Sequence, residues 1–263
     1  MSWLLALYLN QFLVFVLVLT RVGALVMTLP VIGSATMPLQ IRALLAIAIS
    51  LLITPLHWGI AVPQPANLVD LSVLLGREAL LGLALGSAVM ILLSGMQLAG
   101  QVISQMSGLS LAEVSNPTFD TGVPIFSQIL EMLALAIFFL VGGHRQVMHA
   151  LLGSFEWMPP GAGTLPDDLA LALSAVAAHS FETGIRASAP VMVSLLLAIL
   201  IIALISRTLP QLNSIAVGLN LNALIAPLIL AFCLGSAAWT FQNEAEQVIS
   251  STLDLFCAPP SDS

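Results

Sequence analysis

The chain has 263 residues, 59% of them hydrophobic and only 7% charged, with a mean hydropathy of +1.07 and a formal net charge of −7. That much apolar surface exceeds what one soluble core of ordinary composition hides, so an integral membrane protein is expected. All six cations are Arg (Arg21, Arg42, Arg77, Arg145, Arg186, Arg207) and Lys is absent, which argues against a nucleic-acid partner, while Cys233 and Cys257 make neither a disulfide framework nor a metal-ligand cluster.

The N-terminus lacks the positive region and cleavage site of a secretory signal, so the first apolar run reads as an uncleaved helix. Leu4 to Leu29 offers about 25 residues, enough to span a bilayer core with tilt, and Pro30 ends it. Val31 to Ile41 is a connector, and Arg42 opens a second, shorter run from Ala43 to about Trp58. Gly59 to Asp70, with Pro63 and Pro65, is a loop. The next helix is expected from near Leu71 to about Gly100, carrying Arg77 and Glu78 early and Gly82, Gly86 and Gly95 along its length. Small residues at such spacing let helices approach closely, and Gly82-x-x-x-Gly86 is expected to serve assembly with neighbouring subunits.

The stretch from Gln101 to Pro124 is unlike the rest. Its Ser, Gly, Pro and acid content is too polar for lipid, yet Val102, Ile103, Met106, Leu109, Leu111, Val114, Phe119 and Val123 are too apolar for a solvated loop. Non-helical backbone at membrane depth survives only inside protein or along an aqueous passage, because hydrocarbon offers its N–H and C=O groups no partners. A pore or gate is therefore a candidate, beside the plainer possibility that Gly108, Asn116-Pro117, Gly122 and Pro124 shape an ordinary loop.

Ile125 to about Leu152 reads as helix, interrupted by Glu131 and by Gly142-Gly143-His144-Arg145, and Pro159-Pro160-Gly161 is a turn. Asp167 to Arg186 reads as an amphipathic helix with Glu182 and Arg186 paired at i, i+4. Pro190 then precedes a charge-free helix from Val191 to Ser206, broken at Arg207-x-x-Pro210-Gln211. Ile215 to Phe241 is apolar apart from Asn220, Asn222 and Pro227, the pattern of a kinked helix, and residues 244–263 form an acidic tail. Six hydrophobic segments result. Placing the links with Arg42 and Arg207 on the cytoplasmic side puts both termini on the other.

An ionised group in the middle of a spanning helix costs about 2.5–3.5 kcal/mol on insertion scales, which makes Arg21 and Glu131 pairing or functional candidates. His144 and His149 lie five apart and do not share a helix face as an HExxH metal pair does. Ser110, Asp120 and His144 have no spacing that supports a nucleophile triad, so neither an enzyme, a metal nor another cofactor is expected.

The order of these landmarks resembles the FliR family of flagellar type III export-gate proteins, with relatives in virulence injectisomes. The match runs over nearly the whole chain: Arg21 with Pro30 and Pro38; Gly100, Gly108-Leu109-Ser110, Ala112 and Pro117; Pro124; Gly143-His144; Phe155 with Pro159 and Gly161; Phe181, Gly184 and Pro190; and Arg207-x-x-Pro210-Gln211. Asn116-Pro117 stands where the family usually has Asp-Pro, and Gly218-Leu219-Asn220 where it has Gly-Phe-Pro.

The resemblance implies an all-α, polytopic membrane fold like a fusion of FliP-like and FliQ-like helical hairpins, residues 1–263 forming one gate domain. It implies a hetero-oligomer with FliP-like, FliQ-like and FlhB-like proteins in the bacterial inner membrane at the flagellar basal body, passing unfolded exported proteins. Residues 101–124 would form the plug-like segment, with Gly108, Leu109, Ser110, Leu111, Asn116, Pro117, Phe119, Asp120 and Gly122 as its core, and Arg21, Glu131, His144, Arg207, Pro210 and Gln211 would serve assembly. Two rivals stay open on the residues alone: a secondary transporter built on broken helices near Pro190 and Asn220, and a membrane scaffold that conducts nothing.

Overall fold

A computed structural model describes residues 2–30, 37–60, 62–108, 124–161, 169–208 and 224–243. Among them the regular structure is entirely helical: α1 (Ser2–Thr28), α2 (Leu39–Ile53) followed by a short 3-10 turn (Thr54–His57), α3 (Leu68–Ser107), α4 (Ile125–Leu140), α5 (Gly143–Trp157), α6 (Leu169–Thr208) and α7 (Leu224–Asn243). Among the described residues five helices are long and apolar enough to cross a membrane, and the α4–α5 pair adds a sixth if it counts as one broken span.

The described residues of Met1–Ile91 and Gly142–Ala177 form one compact unit, and those of Leu92–Val141 and Ala178–Gln247 another. In the first unit α1 buries Val14, Leu17, Val18, Arg21, Val22 and Leu25, a three-four spacing that places all six on one stripe. α2 packs against α1, burying Ala46, Ser50 and Ile53. The loop after the 3-10 turn is held by Asn10, whose Nδ2 donates to Ile60 O (3.1 Å) while its Oδ1 accepts from the Val62 N–H (3.2 Å). α3 opens with Asp70 in its first turn, where an acid complements the exposed N–H groups of the helix start.

Glycines set how closely helices meet. A Cβ on Gly82 would strike the Arg21 carbonyl, and one on Gly86 would overlap the Thr28 side chain, so the Gly82-x-x-x-Gly86 face receives α1 of the same chain instead of a neighbouring subunit. In the second unit Gly95 and Gly184 let α3 and α6 touch backbone to backbone, with Ser180 beside them, and Gly100 meets the α4 backbone at Phe126 and Ser127.

Three expectations change at element boundaries. α3 runs to Ser107, seven residues past its expected end, because Ile103, Ser104 and Ser107 continue its buried stripe, and it stops at Gly108, whose φ of +77° suits glycine. The helix expected over Ile125 to Leu152 is two helices, since Gly142 at φ +78° leaves the right-handed helical region. The two helices expected on either side of Pro190 are one 40-residue helix with Pro190 inside it. Residues 215–223 of the expected kinked helix lie outside the described residues, and Leu224–Asn243, which includes Pro227, is helical.

Candidate functional site

Arg21 sits about two turns before the C-terminal end of α1 with no exposed surface, and Glu78, near the start of α3, faces it. The Arg21 Nε donates to Glu78 Oε2 at 2.6 Å. Its Nη1 donates to the carbonyl and hydroxyl oxygens of Ser154 (2.9 and 3.1 Å), and its Nη2 to the carbonyl of Met158 (3.0 Å). Both carbonyls belong to the C-terminal end of α5, where the last backbone acceptors of a helix need donors and a positive charge is favoured. The guanidinium also lies over the Phe155 ring, 4.2 Å from its centroid, and His57 packs on the same ring at 5.4 Å.

Glu78 reaches further. Its second oxygen, Oε1, accepts the Gly161 N–H at 3.0 Å, tying down the turn that follows α5. Gly161 has φ +80°, and a side chain there would press on Val62 and Leu17. One ion pair thus fastens α1, α3, the end of α5 and the next turn within an apolar unit. Sequence spacing offered no such link, because Glu78 is 57 residues from Arg21 and Ser154 is 133 residues away.

The other expected site residues are placed as follows. Glu131 is half-buried on α4 in the second unit and is not the acid that pairs with Arg21. His144 and Arg145 are exposed at the start of α5, and Arg207 is exposed in the last turn of α6. Of the plug-like core, Gly108 closes α3 with its N–H donated to Gln105 O, and Pro124 caps α4. Leu109, Ser110, Leu111, Asn116, Pro117, Phe119, Asp120 and Gly122 lie outside the described residues, as do Pro210 and Gln211. The Glu182–Arg186 pair forms as expected at 2.5 Å on an exposed face of α6. Among the described residues no three His, Cys, Asp or Glu side chains gather as a metal site would require.

Among the described residues all regular structure is helical and five helices are long enough to cross a bilayer, and similarity to known proteins decides the family. The family model described as bacterial export proteins, family 1, matches residues 12–248. The chain belongs to that family, the FliR family of export proteins. It is 31% identical to the flagellar biosynthetic protein FliR of Caulobacter vibrioides over 247 residues, covering 94% of this chain and 96% of the relative. It is 29% identical to the protein of the same name from Escherichia coli over 228 residues (82% and 85%). The secretion system apparatus protein SsaT of Salmonella typhimurium is 23% identical over 180 residues (68% and 70%). The Arg21–Glu78 cluster, Gly108 and Pro124 all fall within the stretch that the family model matches.

Proposed function

We propose that this FliR-family chain is a structural subunit of a type III secretion export gate in the bacterial inner membrane, lining a protein-conducting pore and supplying its plug for flagellar assembly. The family match over residues 12–248 carries the reading. Identity to proteins named for flagellar biosynthesis exceeds that to the SsaT apparatus protein, which favours the flagellar branch. Its partners are FliP-like, FliQ-like and FlhB-like subunits, and its cargo is unfolded protein.

A gate of this kind needs positioned walls and a stopper rather than a catalytic centre. A closed pore has to stop ions while an extended chain can still pass, and a segment bounded by glycine at Gly108 and Gly122 with apolar knobs at Leu109, Leu111 and Phe119 suits that task. Support for this placement comes from the two flanks, where α3 ends on a left-handed glycine at Gly108 and α4 starts behind Pro124. Opening is then a shift in the population of that segment, driven by whatever binds the open state better.

The test is photo-crosslinking in cells whose export is stalled by a substrate with a tightly folded tail. Crosslinkers at Leu111 and Phe119 are expected to capture the stalled substrate, while one at exposed Leu171 on α6 is not. Capture at neither plug position, with export of unstalled substrate intact, would overturn the plug assignment.

A further inference from the structure

Val69, Val73, Gly76, Leu80 and Leu83 of α3 follow one another at alternating steps of four and three residues, and all five are exposed. That rhythm keeps them on one narrow stripe, on the side of the helix opposite Glu78. Asp70 and Arg77 lie along one edge of the stripe, both exposed and neither in an ion pair among the described residues. Asp70 has the helix start to complement, whereas Arg77 has no acid beside it among those residues.

Gly76 sits at the centre of this stripe. Glycine weakens a helix interior, and each of Gly82, Gly86, Gly95 and Gly100 answers for that by admitting another helix of this chain. Gly76 admits none: no atom stands within 4 Å of where its Cβ would be. A notch flanked by aliphatic side chains at heptad spacing is the form of a seam for a helix from outside the chain.

Lipid does not account for this face. The charge-free part of α3 from Ala79 to Ser107 is 29 residues, longer than the roughly 20 that cross a hydrocarbon core. With Arg77 level with the headgroup phosphates, the hydrocarbon lies on the Ala79 side, and exposed Leu68, Val69 and Val73 stand in water beyond it. With those residues sunk into hydrocarbon, Asp70 and Arg77 go with them as unpaired charges. A protein surface that is aliphatic along the seam and acidic at its edge satisfies both groups.

We propose that the Val69–Leu83 face of α3 is the docking seam for a helix of another gate subunit, which seats small or aliphatic side chains over Gly76 and pairs a carboxylate with Arg77. A second copy of this chain does not supply that acid. Two copies inserted in one membrane share an orientation, so their α3 helices run parallel, and the Asp70–Arg77 edge of one then faces the Ser72–Ala79 edge of the other. The inference rests on the gate reading for the presence of a partner and adds to it the surface and the charge that the partner meets.

The test uses the full chain co-expressed in membranes with its FliP-like, FliQ-like and FlhB-like partners, with photo-crosslinkers placed at Val73 and Leu80 and adducts identified by mass spectrometry. Both positions are expected to capture the same helix of one partner, with an Asp or Glu within a turn of the captured site. Arg77→Glu and Gly76→Leu are each expected to cut capture about tenfold or more, as loss of a desolvated charge pair does, and changing the captured acid to Arg is expected to restore capture in the Arg77→Glu chain. Both substituted side chains point away from the chain's own core, so an unchanged unfolding titration separates lost docking from lost folding. Adducts with lipid or a second copy only, a captured helix without an acid, or capture indifferent to Arg77→Glu would each overturn the proposal. If no gate partner co-purifies with the unsubstituted chain, the gate reading falls on that result, and the same crosslinkers in intact cells decide this one: an identified protein adduct lost in Arg77→Glu and regained by the acid-to-Arg exchange upholds it, and its absence overturns it.

Discussion

Arg21 is a full charge within an apolar helix, and it is tolerated because acceptors from α3 and from the C-terminal end of α5 converge on it. Such a pair adds little net stability over a well-packed apolar replacement, but removing one partner strands the other charge at a cost of about 3–5 kcal/mol. Arg21→Ala and Glu78→Ala are each expected to lower the unfolding free energy by about that amount, measured by detergent-titrated unfolding, and Arg21→Met with Glu78→Leu together to recover most of it. Arg21→Lys is expected to behave nearly as badly as Arg21→Ala, because an ammonium cannot span Glu78, Ser154 and Met158 at once. Glycine substitutions separate backbone strain from crowding. Gly142→Ala meets open space and carries only the left-handed backbone penalty of about 1–2 kcal/mol, whereas Gly161→Ala adds a collision with Val62 and is expected to cost more in the same assay. Arg21 was legible in the sequence as a residue in need of a partner. Glu78 was not, because nothing local distinguishes it from its exposed neighbour Arg77; only the meeting of α1 with α3 assigns one inward and the other outward.

At the level of elements, α3 is organised by its glycines. Gly82 and Gly86 admit α1, Gly95 admits α6, and Gly100 admits α4, each at a distance no side chain allows. Gly95→Leu and Gly184→Leu are therefore expected to separate α3 from α6 and abolish accumulation of the folded chain. Gly76→Ala, on the exposed face of the same α3 with nothing nearby, is expected to raise stability by about 0.5–1 kcal/mol, and the contrast is read by the same unfolding titration. The helices were legible from hydropathy and from their Pro and Gly boundaries, but three boundaries were not. Pro190 reads as a stop because it lacks an N–H and crowds the preceding turn, a penalty of about 3 kcal/mol. Burial of Ala187, Val191 and Leu195 along one stripe offsets it and carries α6 through. In the same way Ile103 and Ser107 carry α3 past Gly100, where composition alone suggested that the unusual segment had begun.

For the molecule as a whole, α3 and α6 are each 40 residues, about 60 Å long and twice the hydrocarbon thickness, and both contribute to each of the two compact units. Helices of that length with many exposed apolar side chains call for cover that lipid alone does not supply over the full span, which agrees with a subunit designed for assembly. The chain is accordingly expected to co-purify with FliP-like and FliQ-like subunits in a stable complex and to be degraded when expressed alone, as followed by quantitative blotting. The family was legible because its Pro, Gly and Arg landmarks keep their order over nearly the full length, even though each is weak by itself. The central claim, that this chain helps to wall a pore and stoppers it with residues 109–122, is tested most directly by ion permeability of vesicles holding the assembled complex. With those residues replaced by a short Gly-Ser link, the account predicts a large conductance that the intact complex lacks; an assembled complex that stays equally tight to ions without them would contradict it.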